Sequence, residues 1–325
     1  MKFSVLINNY NYGRFVREAV DSALAQTLPP HEIIVVDDGS TDDSPALLRE
    51  RYADRQRVKI IAQKNGGQFA AIAAGIDAAD GDIVCLLDAD DRYQPDYLAS
   101  LSALYQEKPW IDLAFCRFNL IGDPACFGKT RNAIWGKPAG DYDYGTTAVL
   151  TYFYFKRRGT FMIGNVTSCL SLRLDLARRL RLGEAGRRWA TPIQADYALL
   201  LGASMLGARK YYFARELVDY RVHGKNHWAD CPKKSAAERR QNRENYKVLF
   251  EFYQRASGLT DERVKDLPAE TLTVPAPTKT HRKTYQRLGK FFRWENGRLR
   301  QRVPLLKRFK RFKYLCWIFP GKNGC

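Results

Sequence analysis

Ile83-Val84-Cys85-Leu86-Leu87 runs without a break into Asp88-Ala89-Asp90-Asp91, so five apolar residues meet three carboxylates within four positions. The apolar run is short, rich in β-formers and bounded by Gly81 and Pro95, which predicts a strand buried on both faces. In an open α/β sheet such a strand delivers its carboxyl end to the crevice where ligands bind. Carboxylates packed that closely repel one another, and folding gains from them only when a cation sits between. A divalent metal whose other ligands are phosphate oxygens meets that requirement. Taken alone, the segment also reads as a solvated acidic loop capping the next helix.

The same pattern recurs upstream. Phe3 to Ile7 reads as a buried strand that ends in Asn8-Asn9-Tyr10-Asn11-Tyr12-Gly13. Phe15, Val16, Ala19, Val20, Ala23 and Leu24 then follow at helical spacing, up to Pro29-Pro30. Ile33 to Val36 is a second strand, followed by Asp37-Asp38-Gly39-Ser40-Thr41-Asp42. The order Ser40-x-x-Asp43 predicts a capped helix running to Arg51. Val58 to Ile61 is a third strand, Asn65-Gly66-Gly67 a turn, and Gln68 to Ala79 an Ala-rich helix. Three βα repeats imply a parallel sheet covered on both faces. Parallel strands put the three polar clusters on one edge, where they form one site. No G-x-G-x-x-G follows the first strand and no G-x-x-x-x-G-K-[ST] occurs. A dinucleotide-binding Rossmann site loses its main support, and a P-loop is excluded.

Five stretches in this order carry a family resemblance: Tyr10-Asn11-Tyr12-Gly13, Ala25-Gln26-Thr27, Val35 to Asp42, Asn65-Gly66-Gly67-Gln68, and Leu87 to Asp91. Together they resemble the inverting, GT-A-fold glycosyltransferases of family 2, the large cellulose synthase-like and O-antigen-type family. The resemblance runs from residue 3 to residue 230, and its motifs are specific as an ordered set although each is weak alone. It implies a Rossmann-like, mostly parallel sheet flanked by helices. It implies, too, that Tyr10 stacks on the nucleotide base and that Asp37 or Asp38 accepts a hydrogen bond from it. Asn9, Gly67 and Ala89 belong to the same implied donor site. Asp88 and Asp90 match the family's D-x-D, sharing ribose contact and coordination of Mn²⁺ or Mg²⁺, with Asp91 able to replace or assist Asp90. One departure stands out: the family often has Arg-Asn after the Asn-Gly-Gly turn, where this chain has Ile72 and Ala73. The residue types predict a buried helix face there.

Beyond Asp91 the pattern is harder to follow. Tyr93-Gln94-Pro95 is expected to open a helix with Leu98, Leu101, Leu104 and Tyr105 on one face, and Ile111 to Phe118 to form a strand. Asn119 to Gly145 loses periodicity and suits an acceptor-facing loop, Thr146 to Arg158 reads as a helix, and Asn165 to Arg173 as a strand at the sheet's other edge. Asp196 opens a helix over Tyr197 to Leu206. The family commonly has Glu-Asp at that point with the Asp as catalytic base, and here Ala195 replaces the Glu. A single-displacement transfer needs one carboxylate to take the acceptor's proton; a helix-start carboxylate favoured by the macrodipole is the plainer reading of Asp196. Tyr220-Arg221-Val222-His223-Gly224-Lys225-Asn226 resembles the family's Tyr-Arg-x-His-x-x-Asn element, which closes over the diphosphate and can lend its His to the metal. That implies a donor role for Arg221 and a metal role for His223.

The remainder is distinguished by charge. Lys233 to Ala256 reads as a charged helix with Tyr246, Leu249, Phe250 and Tyr253 on one face, and Leu267 to Thr280 as a Pro-containing linker. From Lys279 onward 15 Lys and Arg face one acid, Glu295, a surplus of 14 out of the chain's net +18. Leu305, Phe309, Phe312, Cys316 and Phe319 recur at helical spacing among those cations. A basic helix with an aromatic face, too short to span, suits an anionic bilayer surface; a helix docked on the catalytic domain is the alternative. The expected organisation is a glycosyltransferase domain over 1–230, a helical extension over 231–258, a linker over 259–280 and a basic amphipathic tail over 281–325. Seven scattered Cys without a C-x-x-C pair, and no apolar stretch near the ~20 residues of a span, predict a cytoplasmic protein, peripheral on the membrane's inner face. The expected partners are a nucleotide-sugar donor, a UDP-sugar, and a glycan or lipid-linked acceptor. Nucleic acid is not expected, because no recognition fold accompanies the basic tail. A degenerate sugar-nucleotide-binding scaffold and, more weakly, a nucleic-acid binder using the basic tail or a nucleotidyltransferase are the competing classes.

Overall fold

The computed structural model describes residues 1–123, 140–148, 151–152, 155, 163–186, 194–224, 226 and 235–260. β1 (Phe3–Asn9) is flanked in parallel by β2 (Glu32–Asp37) and β4 (Ile83–Asp88), and β3 (Val58–Ala62) lies parallel beyond β2. Their side chains divide by parity, as a strand's period of two requires. Leu6, Ile34, Val36, Val84 and Leu86 face a core shared with Ile72 and Ile76 of α3 (Gln68–Ala78). Val5, Ile7, Ile33, Val35, Cys85 and Leu87 face a second core shared with Val16 and Val20 of α1 (Gly13–Leu24) and Leu48 of α2 (Ser44–Tyr52). Each fully buried aliphatic side chain contributes about 1.5–3 kcal/mol. Ile72 and Ala73 lie buried on α3, as their residue types predict. That helix approaches β1 so closely that a Cβ on Gly75 would sit 2.3 Å from Leu6 Cδ1.

Past β4 the parallel order breaks. Among the described residues the sheet has nine strands in the order β3-β2-β1-β4-β8-β6-β9-β5, with β7 pairing β9. β5 is Arg92–Tyr93, β6 is Leu113–Gly122, β7 is Tyr142–Thr146, β8 is Leu170–Arg173 and β9 is Arg209–Val222. β8 runs antiparallel between β4 and β6. It is shorter than the Asn165 to Arg173 strand predicted and interior rather than at an edge, because Thr167–Cys169 forms a 3₁₀ turn. Two other expectations are corrected nearby. Tyr93 pairs with Val218 in β5 instead of opening α4 (Tyr97–Glu107). Both ends of the expected Asn119 to Gly145 loop are strand, in β6 and β7, while 124–139 lie outside the described residues. Ala148, Thr151, Tyr152 and Phe155 are helical within the predicted Thr146 to Arg158 helix, whereas Thr146 itself ends β7.

The helix after β2 also starts later than Ser40-x-x-Asp43 predicts, at Ser44. Ser40 Oγ is taken instead by Asn11 N–H at 2.9 Å and Asn9 Nδ2 at 3.2 Å. α5 (Leu174–Arg179), α6 (Leu182–Gly186) and α7 (Ala195–Met205) complete the second half. α8 (Ala236–Ser257) begins at a capping box, Ser235 with Glu238, and stops at Gly258, whose φ of 65° lies in the left-handed region. Its Leu249, Phe250, Phe252 and Tyr253 enter the same core as α3 and α7, and Tyr253 O–H donates to Leu180 C=O at 2.9 Å. No helix among the described residues is long and apolar enough to cross a membrane. From residue 261 onward the linker and the basic tail lie outside the described residues.

Candidate active site at the carboxyl edge of the sheet

The polar clusters converge because β1 is paired in register with both neighbours: Asn9 stands opposite Asp37, and Asn8 opposite Asp88. Asn9 Nδ2 donates to Asp37 Oδ2 at 2.7 Å, and Ser40 N–H donates to Asp37 Oδ1 at 2.9 Å. Asp38 braces the turn after β3. It accepts from Gln63 Nε2 at 2.7 Å, Gly66 N–H at 2.9 Å and Gly67 N–H at 2.7 Å. Gly67 adopts φ +82°, a conformation L side chains rarely take, and a Cβ there would meet no atom within 4 Å. The turn therefore leaves open space beside Asp38. Tyr10, just past the end of β1, is 46% exposed, unusual for a large aromatic among the described residues.

The carboxylates of Asp88, Asp90 and Asp91 each bring one oxygen within 4.8 Å of the others. Asp88 Oδ1 accepts from Gln68 Nε2 at 2.9 Å. Asp91 is bonded on both oxygens, by Ser168 Oγ at 2.5 Å and by Arg221 N–H at 2.8 Å. Asp90 Oδ2 faces His223 Nε2 at 3.1 Å and Asn226 Nδ2 at 3.3 Å. Ala89 is buried, its N–H directed to Asn8 C=O at 3.3 Å. The His223 ring packs on Phe15, with centroids 5.0 Å apart, and edge-on to Tyr12 at 5.7 Å.

Burial and the neighbouring charge of Asp90 push Asp88 up to about 7, and the same two causes hold Asp91 well above the ordinary carboxylate range. The Tyr12 hydroxyl is raised by burial and by all three carboxylates. A hard cation relieves this repulsion, and a compact set of carboxylate oxygens with one imidazole is a donor set Mn²⁺ and Mg²⁺ accept. The residues present fit a divalent metal.

Arg221, at the end of β9, turns its guanidinium inward on protein groups. Nε–H donates to Asp90 C=O at 2.8 Å, Nη2 pairs with Glu18 Oε2 at 2.6 Å, and the group lies 4.9 Å from the Phe15 ring centroid. Asp196 occupies the first turn of α7, where its Oδ1 accepts from Tyr197 N–H at 2.6 Å. Burial raises its carboxyl to about 6. Its charge also raises Asp88 and Tyr220, so it looks onto the same crevice from the far half of the sheet. Ser168, Gln68, Glu18 and Asn226 join this constellation without having been singled out from sequence. Gln68 and Asn226 did have a signal, as the last members of the Asn65-Gly66-Gly67-Gln68 stretch and of the Tyr-Arg-x-His-x-x-Asn element.

The comparisons with known proteins follow this geometry. Residues 4–159 match the Glycosyl transferase family 2 model. An uncharacterised glycosyltransferase of Nostoc sp. is 46% identical over 109 residues, 33% of this chain and 33% of that protein. The chondroitin synthase of Pasteurella multocida is 37% identical over 187 residues, 57% of this chain and 19% of that protein. The chain thus spans a third or less of the length of either relative. Among solved structures, Staphylococcus aureus TarS 1-349 in complex with UDP-GlcNAc superimposes with a TM-score of 0.52 at 18% identity, covering 83% of this chain and 77% of that one. The matched segment, just under half of the chain, holds nearly all of β1, β2 to β6 and all three carboxylates of the cluster, and over it the chain is similar to glycosyl transferase family 2, with a GT-A fold.

Proposed function

We propose that this protein transfers a sugar from a nucleotide-sugar donor, a UDP-sugar, to a glycan or lipid-linked acceptor, with inversion and with help from a divalent metal. The observation that carries the proposal is the convergence of Asp88, Asp90 and Asp91 within 4.8 Å at the edge where β1, β2 and β4 end. In this reading Tyr10 stacks on the base, while Asp37, Asp38, Asn9 and the open turn at Gly67 shape the base and ribose pocket. Asp88 and the buried Ala89 backbone hold the ribose side. Asp90 and His223 would hold the metal, with Asp91 fixing the turn between them through Ser168 and Arg221. Bound there, Mn²⁺ or Mg²⁺ neutralises the diphosphate leaving group. Asp196, raised towards neutral pH by burial, takes the acceptor hydroxyl proton as the new glycosidic bond forms. The complexed donor of the TarS structure, and the polysaccharide synthases among the relatives, support this class of reaction.

The basic tail over 281–325, read from sequence, is proposed to hold the domain 1–230 and its helical extension against the anionic inner face of a membrane. Thermal-shift screening of nucleotide sugars with Mn²⁺, followed by assay of nucleotide release, tests the proposal, because a bound donor stabilises by mass action. A donor that stabilises only with Mn²⁺ and is turned over is expected. If no nucleotide sugar is bound or cleaved, the proposal fails.

A further inference from the structure

Arg221 lies within the proposed donor site, yet its two strongest contacts are to the protein. The fork of its guanidinium joins three elements: the turn after β4 through Asp90 C=O at 2.8 Å, α1 through Glu18 Oε2 at 2.6 Å, and β9, from which it projects. The same residue's backbone N–H holds Asp91 Oδ1 at 2.8 Å, and its C=O accepts from Asn226 Nδ2 at 2.8 Å. Asn226 Nδ2 also reaches Asp90 Oδ2. The bonds from Arg221 Nε–H and its backbone N–H, and the one its C=O takes from Asn226, thus meet at the turn that aims the Asp90 carboxylate. Glu18 fixes where the guanidinium can go, and Arg92, itself bound to Asp219 at 2.7 Å, stands 3.8 Å from the same Glu18 Oε2.

We propose that Glu18 is a positioning residue for the carboxylate cluster, clamping Arg221 so that the Asp90 turn is held in a cation-binding geometry. The inference rests on the cation-binding role proposed for Asp90 and extends it to a residue on α1. Glu18 is 40% exposed and Arg221 only 13%, so the pair sits at the rim, where an ion pair contributes little to global stability. Its effect is therefore separable from folding. Partners that orient metal ligands typically change metal affinity by about 10–100-fold when removed.

The test is Mn²⁺ titration, followed by electron paramagnetic resonance, of the full chain, Glu18→Ala, Glu18→Gln, Arg221→Lys and the Glu18→Ala/Arg221→Lys double variant. Thermal melts of each accompany it. Glu18→Ala should bind Mn²⁺ about tenfold more weakly with an almost unchanged melt. Glu18→Gln keeps an acceptor for Nη2 and should lie within about threefold of wild type. Lys cannot reproduce the fork of Arg221, so Arg221→Lys should match Glu18→Ala, and the double variant should be no worse than either. Unchanged Mn²⁺ affinity in Glu18→Ala overturns the proposal. Additive losses in the double variant, or equal losses in Glu18→Ala and Glu18→Gln, overturn it as well. A wild-type protein that binds no Mn²⁺ overturns the cation reading itself, an outcome distinct from the others.

Discussion

The two halves of the sheet reach the same crevice by different routes. From β1 to β4 the strands pair in parallel with strands less than 90 residues away, the first three are each followed by their own helix, and β1, β2 and β4 end in polar clusters at the shared edge. From β5 to β9 the longest contacts to the site span more chain: Arg221 and His223 meet the cluster across 130 and 133 residues, while Ser168 meets Asp91 across 77. β6 and β9 also slip register between Cys116 and Phe118. The first half builds a binding edge from local rules. The second supplies the groups that restrain it, together with Asp196, the carboxylate proposed to take the acceptor's proton.

That division predicts separable failures. The largest follows from Asp196. Asp196→Asn should lower sugar transfer by at least ~100-fold while leaving donor affinity nearly unchanged, because only the proton acceptor is lost. Parallel measurement of kcat and donor Kd checks it. A joint loss of both would mark Asp196 as a structural element of the crevice instead.

Stability should divide differently, since α8 shares the core of the first half. Leu249 is fully buried against that core. Leu249→Ala should cost about 2–5 kcal/mol in urea unfolding, as large-to-small core changes do. A cost near zero would show that α8 is a detachable appendage.

How much of this was legible in the sequence follows the same line. The alternation of apolar runs, polar clusters and helical spacing up to Asp91 is a short-range signal, so β1 to β4 and the convergence of Asn9, Asp37 and Asp88 could be read before any coordinates. β5 could not, because two residues pairing with Val218 and Asp219 leave no periodicity. The interior place of β8 depends on partners on both sides that lie far off in the chain. Ser168 and Glu18 are invisible for the same reason: a lone serine in a turn and a glutamate on a helix's polar face carry no local mark. Ser40 misled because its hydroxyl serves Asn9 and Asn11 across the edge and not the helix that follows.

Acidity offers a subtler probe of the two halves. Asp88 is held up to about 7 and Asp196 to about 6, both above the 3.8 of a free Asp side chain. A carboxyl raised in the folded state keeps its proton longer there than when unfolded, so metal-free stability from these groups declines as pH rises from 3.8 towards 7. Bound Mn²⁺ needs the carboxylates ionised and should reverse that decline. The gain in Tm on adding Mn²⁺ should therefore grow from about pH 5 to about pH 8, and transfer should fall as pH drops through about 6. A gain independent of pH would contradict the assignment of the cluster.

The smallest effect on chemistry is expected from the tail. Removing residues 281–325 should release the protein from anionic vesicles, since each Lys or Arg near such a surface is worth about 1 kcal/mol, and should leave donor hydrolysis intact. Co-sedimentation at two salt concentrations, with a melt of the shortened protein, checks both parts. Unfolding of the shortened protein would instead favour a tail docked on the domain.

The central claim is that the edge formed by β1, β2 and β4 binds the donor through its carboxylates, independently of the group that performs the transfer. Calorimetric titration of UDP into wild type, Asp90→Asn and Asp196→Asn, each with and without Mn²⁺, tests it most directly. Wild type and Asp196→Asn should bind UDP alike and only with Mn²⁺, while Asp90→Asn should lose the metal-dependent binding, because a neutral amide is a far poorer ligand for a hard cation. Undiminished Mn²⁺-dependent binding in Asp90→Asn would contradict the account.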